Sequence, residues 1–592
     1  MPSRHVEFAR MLLTMSAAST SYKTRRGLGV RSIWAHGVLV FGTFLLLAMS
    51  FPNPGWSILA HGALVPLTLL AMRSTRKRTL LWTTYLGGIL WWLLMIHWLS
   101  RVTFGGYVTL CFYLGLYWPM YVILLRIMDQ RTRWPKVIAV PAVWLSLEFI
   151  RAHVMAGGFG WFAIGHTQAP FHPSQGPGQL VQIADLLGHW GVSFLVAMGS
   201  GMIVDMLVRP WNKPSRKWYR LSPAMRSVVL WMLAIISSLF YGAWRIRTTP
   251  MAGPSVKVAV VQTNVPQSNK QSPTPEAMLT DWARAIELTT DAVKKSNPDV
   301  VIWPETMSPA AFNAQALEYY LNAPTREKGY EVFYHQTQAL ATALNAHLFV
   351  GAHAKFDWEI IAGDDGKQFV IPMRRYNSVY HFLPQVGQSM VRYDKIHLVP
   401  FGEYIPWVSR FPWLKNQFMQ YLSPHKIDYS LSRGTQMTVF NVSIDGQAIR
   451  IASPICFEDT ISQLVRPMVY DGAGHKRVDI LINLTNDGWY AGSVEAYQHA
   501  QNAVFRCIEN RIPMARSVNT GISGFIDSAG ALTHWVEQEG AFQSVDGWST
   551  KEMFLDDRET VFGKWGRWPV VILMILTGLR VVFSLLVPRK VL

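Results

Sequence analysis

Long apolar runs broken by short basic segments fill the first 250 residues; short apolar runs with regular alternation follow. The long runs lie near 34–51, 56–73, 80–99, 105–125, 137–152, 186–208 and 227–244, and an eighth follows near 568–587. Each approaches the roughly 20 residues that a helix needs to cross the hydrocarbon of a bilayer. The stretch up to Arg31 is polar and basic and lacks the apolar centre of a signal peptide. Glu148 interrupts the fifth run and is costly in hydrocarbon. Arg151, three residues on, shares its helical face and is placed to neutralise it.

Between about 255 and 545 the period changes. The segments 256–262 (VKVAVVQ), 299–303 (DVVIW), 347–353, 449–455 and 478–484 (VDILINL) have the apolar character of buried strands. Residues 376–383 and 389–393 suggest an antiparallel pair, whereas 279–295, 332–345 and 494–510 carry helical periodicity. Strands alternating with helices predict an α/β domain.

Composition agrees with a chain partly in lipid. Of 592 residues, 50% are hydrophobic and 16% charged, against about 25% charged in an ordinary soluble domain. The net charge of +18 would suit nucleic acid, but its location does not. Residues 248–566 hold 27 Lys/Arg and 32 Asp/Glu, so the excess positive charge belongs to the apolar regions and their connections. It clusters before the first run and in alternate loops, at Arg73–Arg78, Arg126–Lys136 and Arg209–Arg226. The positive-inside rule puts those loops in the cytoplasm, with the large domain on the far side, the periplasm of a Gram-negative cell.

Three strand-end positions carry candidate chemistry: Glu305 in WPET, Lys395 in RYDKIHLVPFGEYIP and Cys456 in PICFED. A thiolate is a strong nucleophile toward acyl carbon. A carboxylate takes its proton, and an ammonium stabilises both thiolate and oxyanion. Cys111 falls in an apolar run and suits a small buried hydrophobe. Cys507, in AVFRCIENR on the helix that periodicity predicts over 494–510, is expected to stand apart from Cys456.

WPET, KIHLVPFGEYIP, PICFED and LINLTNDGWY resemble the nitrilase, or carbon–nitrogen hydrolase, superfamily. With seven spans before that domain and one after it, nearly the whole chain is similar to the bacterial apolipoprotein N-acyltransferases. The resemblance implies an αββα four-layer sandwich on an eight-helix transmembrane bundle in the inner membrane. Its expected parts are a cytoplasmic segment 1–33, a membrane domain 34–247, a periplasmic catalytic domain 248–566 and a last helix with tail 567–592. It implies Glu305 as base, Lys395 as oxyanion-side cation and Cys456 as nucleophile, with Glu403 and Glu458 in support and no metal or cofactor. The implied reaction moves an acyl chain from a phospholipid, phosphatidylethanolamine, through a thioester to the α-amino group of a diacylated apolipoprotein. The enzyme is expected to act as a monomer, without nucleic acid.

Two positions depart from the family pattern: Phe457 stands where Tyr is frequent, and Gln271 where Trp is common. Both concern substrate positioning. The aromatic segment 401–421 suits an interfacial arm, and the glycine- and aromatic-rich segment 157–166 suits either an interfacial belt or a lipid-guiding surface. Residues 357–375 look like an insertion without an assigned role. Two other readings stand beside the acyltransferase: a membrane-anchored amidase or nitrilase acting on a small C–N substrate, and a transporter or receptor with a degenerate nitrilase module.

Overall fold

The computed structural model describes residues 30–132, 134–154, 158–209, 221–271, 273–323, 327–362, 368–400, 402–404 and 430–586. Helical segments occupy all eight long apolar stretches. Five of them (Ile33–Ser50, Phe104–Gln130, Leu180–Val208, Pro223–Arg247 and Trp568–Leu586) are long and apolar enough to cross a bilayer. Helices Lys77–Met95 and Lys136–His153 lie between them. The second stretch differs from its expectation: it is a 3-10 turn, Ser57–Gly62, followed by a nine-residue helix, Val65–Arg73. The outward faces of these helices expose Trp34, Phe41, Leu86, Leu90, Phe240, Leu579 and other large apolar side chains. Such a continuous apolar surface belongs against lipid.

The rest of the described chain forms two six-stranded sheets. The first runs β12 (Gly547–Phe554), β1 (Ser255–Gln262), β2 (Val300–Ile302), β3 (His347–Ala362), β4 (Gln368–Leu383), β5 (Gly387–Asp394). The second runs β11 (Leu532–Thr533), β10 (Gly524–Ile526), β9 (Met514–Val518), β8 (Ile480–Thr485), β7 (Gln447–Ala452), β6 (Phe440–Ile444). Each has three parallel strands at its centre, β1–β2–β3 and β7–β8–β9, flanked by antiparallel partners.

Alternation along β1 explains the layers. Val258 and Val260 join a core with Ile302, Phe349, Ile451, Ile480 and Met514, between the sheets. Ala259 and Val261 face the other way, with Val301, Trp303, Leu348 and Val350, against Trp282, Leu288 and Phe333 of two covering helices. A parallel strand buried on both faces reads as a continuous apolar run, as β1 and β8 do. Ser517 Oγ stitches the sheets by donating to the carbonyls of Val261 and Ile302 at 2.7 and 2.9 Å. The covering helix Pro275–Ser296 is set by its ends: Thr274 caps Ala277 N–H, Pro275 follows, and Asn297 leaves in the left-handed conformation.

The buried helix Glu495–Asn510 joins the sheets to the membrane part. Glu509 Oε1 accepts from the backbone N–H of His189 at 2.9 Å, and Arg506 pairs with Glu509. Arg511, fully buried just beyond that helix, reaches Asp185 at 2.7 Å and Gln182 at 2.7 Å. These charges are paired across the junction, as buried charges must be.

Three expectations change. Arg151 makes no direct ion pair with Glu148: its charge acts on that carboxylate through space, while its guanidinium lies over the Trp92 ring at 5.0 Å. Glu148 instead accepts from Trp144 Nε1 and from Ile164 N–H, both at 2.7 Å, so it anchors the glycine-rich loop. A shared helical face brings two side chains near each other, but loop donors compete for the carboxylate. The described part of that loop, 158–166, turns inward as a wedge rather than forming an interfacial belt, and Gly158 and Gly160 line a cavity together with Phe457. Trp161 and Phe162 are buried, and Phe162 packs on Phe51, Trp91 and Trp92. The supposed insertion near 357–375 is the outer part of one long hairpin, with β3 and β4 in continuous register from Leu348↔Phe382 to Ala362↔Gln368.

Candidate active site

Glu305, Lys395 and Cys456 each follow a strand: β2, β5 and β7 respectively. β2 and β7 belong to the parallel centres of the two sheets and β5 to the edge of the first, and the loops that follow them meet at one place.

The loop after β2 fits because β3 has Gly351 beneath it. A Cβ there would meet Pro304 O at 2.5 Å and Thr306 N at 2.7 Å. Gly351 O accepts from Met307 N–H at 2.9 Å, which fixes the turn. Glu305 is buried, and Oε1 accepts from Lys395 Nζ at 3.2 Å and from Asn377 Nδ2. Lys395 is buried too, and also donates to Glu403 Oε1 at 2.7 Å. The second oxygen of Glu403 accepts from Val399 N–H at 2.8 Å, closing the loop on itself. Asn377 O accepts from Lys395 N–H at 2.8 Å, so one β4 residue positions both the Glu305 carboxylate and the Lys395 ammonium.

Cys456 has a left-handed φ of 50° and begins a 3-10 turn, Cys456–Thr460. A non-glycine residue there is strained, and its surroundings hold it. Ile455 bridges to Leu484 of β8, and Asn483 Nδ2 donates to Pro454 O at 2.9 Å and Cys456 O at 3.2 Å.

Glu458 is fully buried and works as a clamp. Oε1 accepts from Ile396 and His397 N–H, and Oε2 accepts from Ile455 N–H and the Tyr393 hydroxyl, all at 2.8 Å. It thus joins the Lys395 loop on one sheet to the Cys456 turn on the other. Burial pushes its carboxyl up to about 7, against the pull of its donors and Lys395. Phe457 lies beneath Trp161 of the membrane part, rings stacked with centroids 6.5 Å apart, and 6.0 Å from His397. Its ring alone makes these contacts.

The electrostatics define the resting state. Burial pulls the Lys395 ammonium down, but Glu305, Glu403 and Cys456 together hold it well above the usual lysine range. Burial pushes Glu305 up, yet Lys395, Asn377 and Lys270 outweigh it and keep the carboxyl below its ordinary value. For Cys456, burial and then Glu305 raise the thiol well up, with Lys395 pulling the other way. The site therefore rests as carboxylate, ammonium and neutral thiol. Such a thiol needs a base at the moment of attack.

Beside the Cys456 turn, Asp487, Glu495 and His499 bring possible metal-ligand atoms within 4.8 Å of one another. The donor set does not suit a cation. His499 is gripped by Asp459 at 2.8 Å and Asp487 at 3.2 Å, and Arg516 pairs with Asp459. Against burial, which lowers it, these carboxylates raise the imidazole to about 10. Both ring nitrogens of His499 are thus engaged by carboxylates, and burial pushes the Glu495 carboxyl well above its usual range. The cluster is a charge-balanced support.

Residues 44–202 match the family described as apolipoprotein N-acyltransferase N-terminal domain, and residues 257–548 match carbon-nitrogen hydrolase. The apolipoprotein N-acyltransferase of Geobacter metallireducens is 32% identical over 501 residues, 82% of this chain and 84% of its own. The chain belongs to the apolipoprotein N-acyltransferase family. Its relative in Chlorobaculum tepidum is 28% identical over 83% of this chain and 87% of its own length. Among solved structures, an amidase from Nesterenkonia sp. is similar over 52% of this chain and 93% of its own, at 12% identity and a TM-score of 0.34.

Within this family member, Glu305, Lys395, Glu403 and Glu458 form one bonded group around the Cys456 turn. Of the aromatic segment 401–421, only 402–404 lie within the described residues, where Arg433 sits over the Tyr404 ring at 4.6 Å; its role as an arm lies outside them. Gln271 ends a short helix, Gln267–Gln271. Cys111 and Cys507 are buried free thiols, and Cys456 is free as well. Asn377 and Lys270 were not among the sequence candidates.

Proposed function

We propose that this membrane protein N-acylates the terminal S-diacylglyceryl cysteine of apolipoproteins, with a phospholipid as donor and Cys456 as acyl carrier. The observation that carries this reading is Lys395 held between Glu305 and Glu403 beside a strained, half-buried cysteine, in a chain of this family. In the first half, Glu305 takes the thiol proton as Sγ attacks the ester carbonyl, and Lys395 stabilises the oxyanion. The C–O bond breaks, the proton passes from Glu305 to the leaving alkoxide, and a lysophospholipid departs. In the second half, the lipoprotein amine attacks the thioester, Glu305 accepts its proton, and the thiol is regenerated as the amide forms. The ester supplies the activated acyl group, so atoms and protons balance without a cofactor. Glu403 supports the reading by keeping Lys395 cationic in both halves, and Glu458 by fixing the two loops in register.

Phosphatidylethanolamine as donor, a monomeric enzyme, and an inner-membrane placement with the sheets in the periplasm complete the reading. The charge alternation along the loops supports that orientation. The test is acyl transfer in nanodiscs from labelled phosphatidylethanolamine to a diacylated lipopeptide. Label in the lipopeptide amide is the expected result. Ammonia released from small amides, with no lipopeptide product, is the outcome of the amidase reading and would overturn this one.

A further inference from the structure

A second lysine meets the base from behind. Lys270 Nζ, on the short helix Gln267–Gln271, donates to Glu305 O at 3.0 Å and to Thr306 Oγ1 at 3.2 Å. Thr306 has a left-handed φ of 51°, which a β-branched residue adopts only under constraint. Two hydrogen bonds from one ammonium supply that constraint at the residue next to the base. The short helix is itself pinned from both sides. Asn269 Nδ2 donates to Asp281 Oδ2 at 3.0 Å, and Asn486 Nδ2 donates to Gln267 Oε1 at 3.2 Å.

We propose that Lys270 is a positioning residue for the base: its ammonium fixes the left-handed turn after Glu305 and places a second positive charge beside Glu305 and Cys456. The inference rests on the reading of Glu305 as the base and Cys456 as the nucleophile. The groups facing Lys270 are Glu305 on the loop after β2, Asp281 on the covering helix and Cys456 on the nucleophile turn. His353 faces it from β3, where Lys270 helps to lower the imidazole. Lys395 reaches the same carboxylate through the side-chain oxygen, so the two lysines act on different atoms of Glu305. Burial pulls the Lys270 ammonium down to about 7, although Glu305, Cys456 and Asp281 resist it. The second charge is therefore present in acid and lost as pH rises through neutrality, unlike that of Lys395.

The test is the pH profile of Cys456 alkylation by iodoacetamide in the full-length, detergent-solubilised protein, with K270M and K270R. This reaction needs neither phospholipid nor lipoprotein, so it stands or falls separately from the acyl-transfer assay. K270M is expected to react about tenfold more slowly than wild type below neutrality, one unit of thiol pKa, and above it the gap is expected to narrow to what the two lost hydrogen bonds alone account for. K270R keeps its charge at every pH and is expected to stay fast on both sides. If K270M fails to fold, the difference between K270R and wild type above neutrality decides alone. A K270M profile that superimposes on wild type, or a loss equal at all pH, overturns the proposal.

Discussion

Glu458 Oε1 accepts the backbone N–H of His397 at 2.8 Å, two residues beyond Lys395, while Oε2 accepts that of Ile455, one residue before Cys456. One carboxylate thus sets the spacing between Lys395 and Cys456, which follow strands of different sheets. E458Q keeps the shape but turns an amide NH2 toward a backbone N–H. One buried donor is left unpaired, at a cost of about 1–3 kcal/mol. Because small misplacements of reacting groups are expensive, acyl transfer is expected to fall about 100-fold. Thermal unfolding and thioester formation, measured on the same sample, check both figures. Wild-type activity in E458Q would refute the clamp.

Asn377 donates to Glu305 and helps hold its carboxyl below the ordinary range. The base is active when ionised, so the acid limb of thioester formation is expected below the usual glutamate value of about 4.3. N377A removes a hydrogen bond to the charged form and moves that limb upward. In stability terms, a depressed carboxyl contributes above its unfolded pKa, and the contribution fades as pH falls through the folded one. N377A should therefore also lose stability at neutral pH. A limb that does not move would show that Lys395 and Lys270 set the base without Asn377.

The junction between sheets and membrane helices depends on Glu509, which serves His189, Arg506 and Ser462 Oγ, the last at 2.9 Å. E509A leaves Arg506 buried without its carboxylate, which costs about 3–5 kcal/mol. The expected signature is a lower melting temperature and easier proteolysis between the two parts. A change under about 1 kcal/mol would mean that Arg506 finds another acceptor.

The sequence made some of this site legible. Glu305, Lys395 and Cys456 each follow an apolar strand within a distinctive motif, and a strand's C-terminal end fixes its loop to one side of the sheet. Glu403 and Glu458 were visible from the same motifs, but not that Glu458 spans two sheets, because its partners Ile396 and His397 are remote in sequence and offer only backbone. Asn377 and Lys270 lacked a signal because their roles come from strand register and a left-handed turn. Glu148 and Arg151 attract as their helical spacing suggests, but that spacing says nothing about Ile164 and Trp144, which take the carboxylate's hydrogen bonds. The wedge role of Trp161 needed the partner ring of Phe457 from the other half of the chain.

The central claim is that Cys456 carries the acyl group. Its most direct test is intact-protein mass spectrometry after incubation with a phospholipid of known acyl chains. The account predicts one acyl adduct on Cys456, absent in C456S and in K395M, and discharged by a diacylated lipopeptide. An unmodified Cys456 in protein that is actively acylating lipopeptide would contradict it.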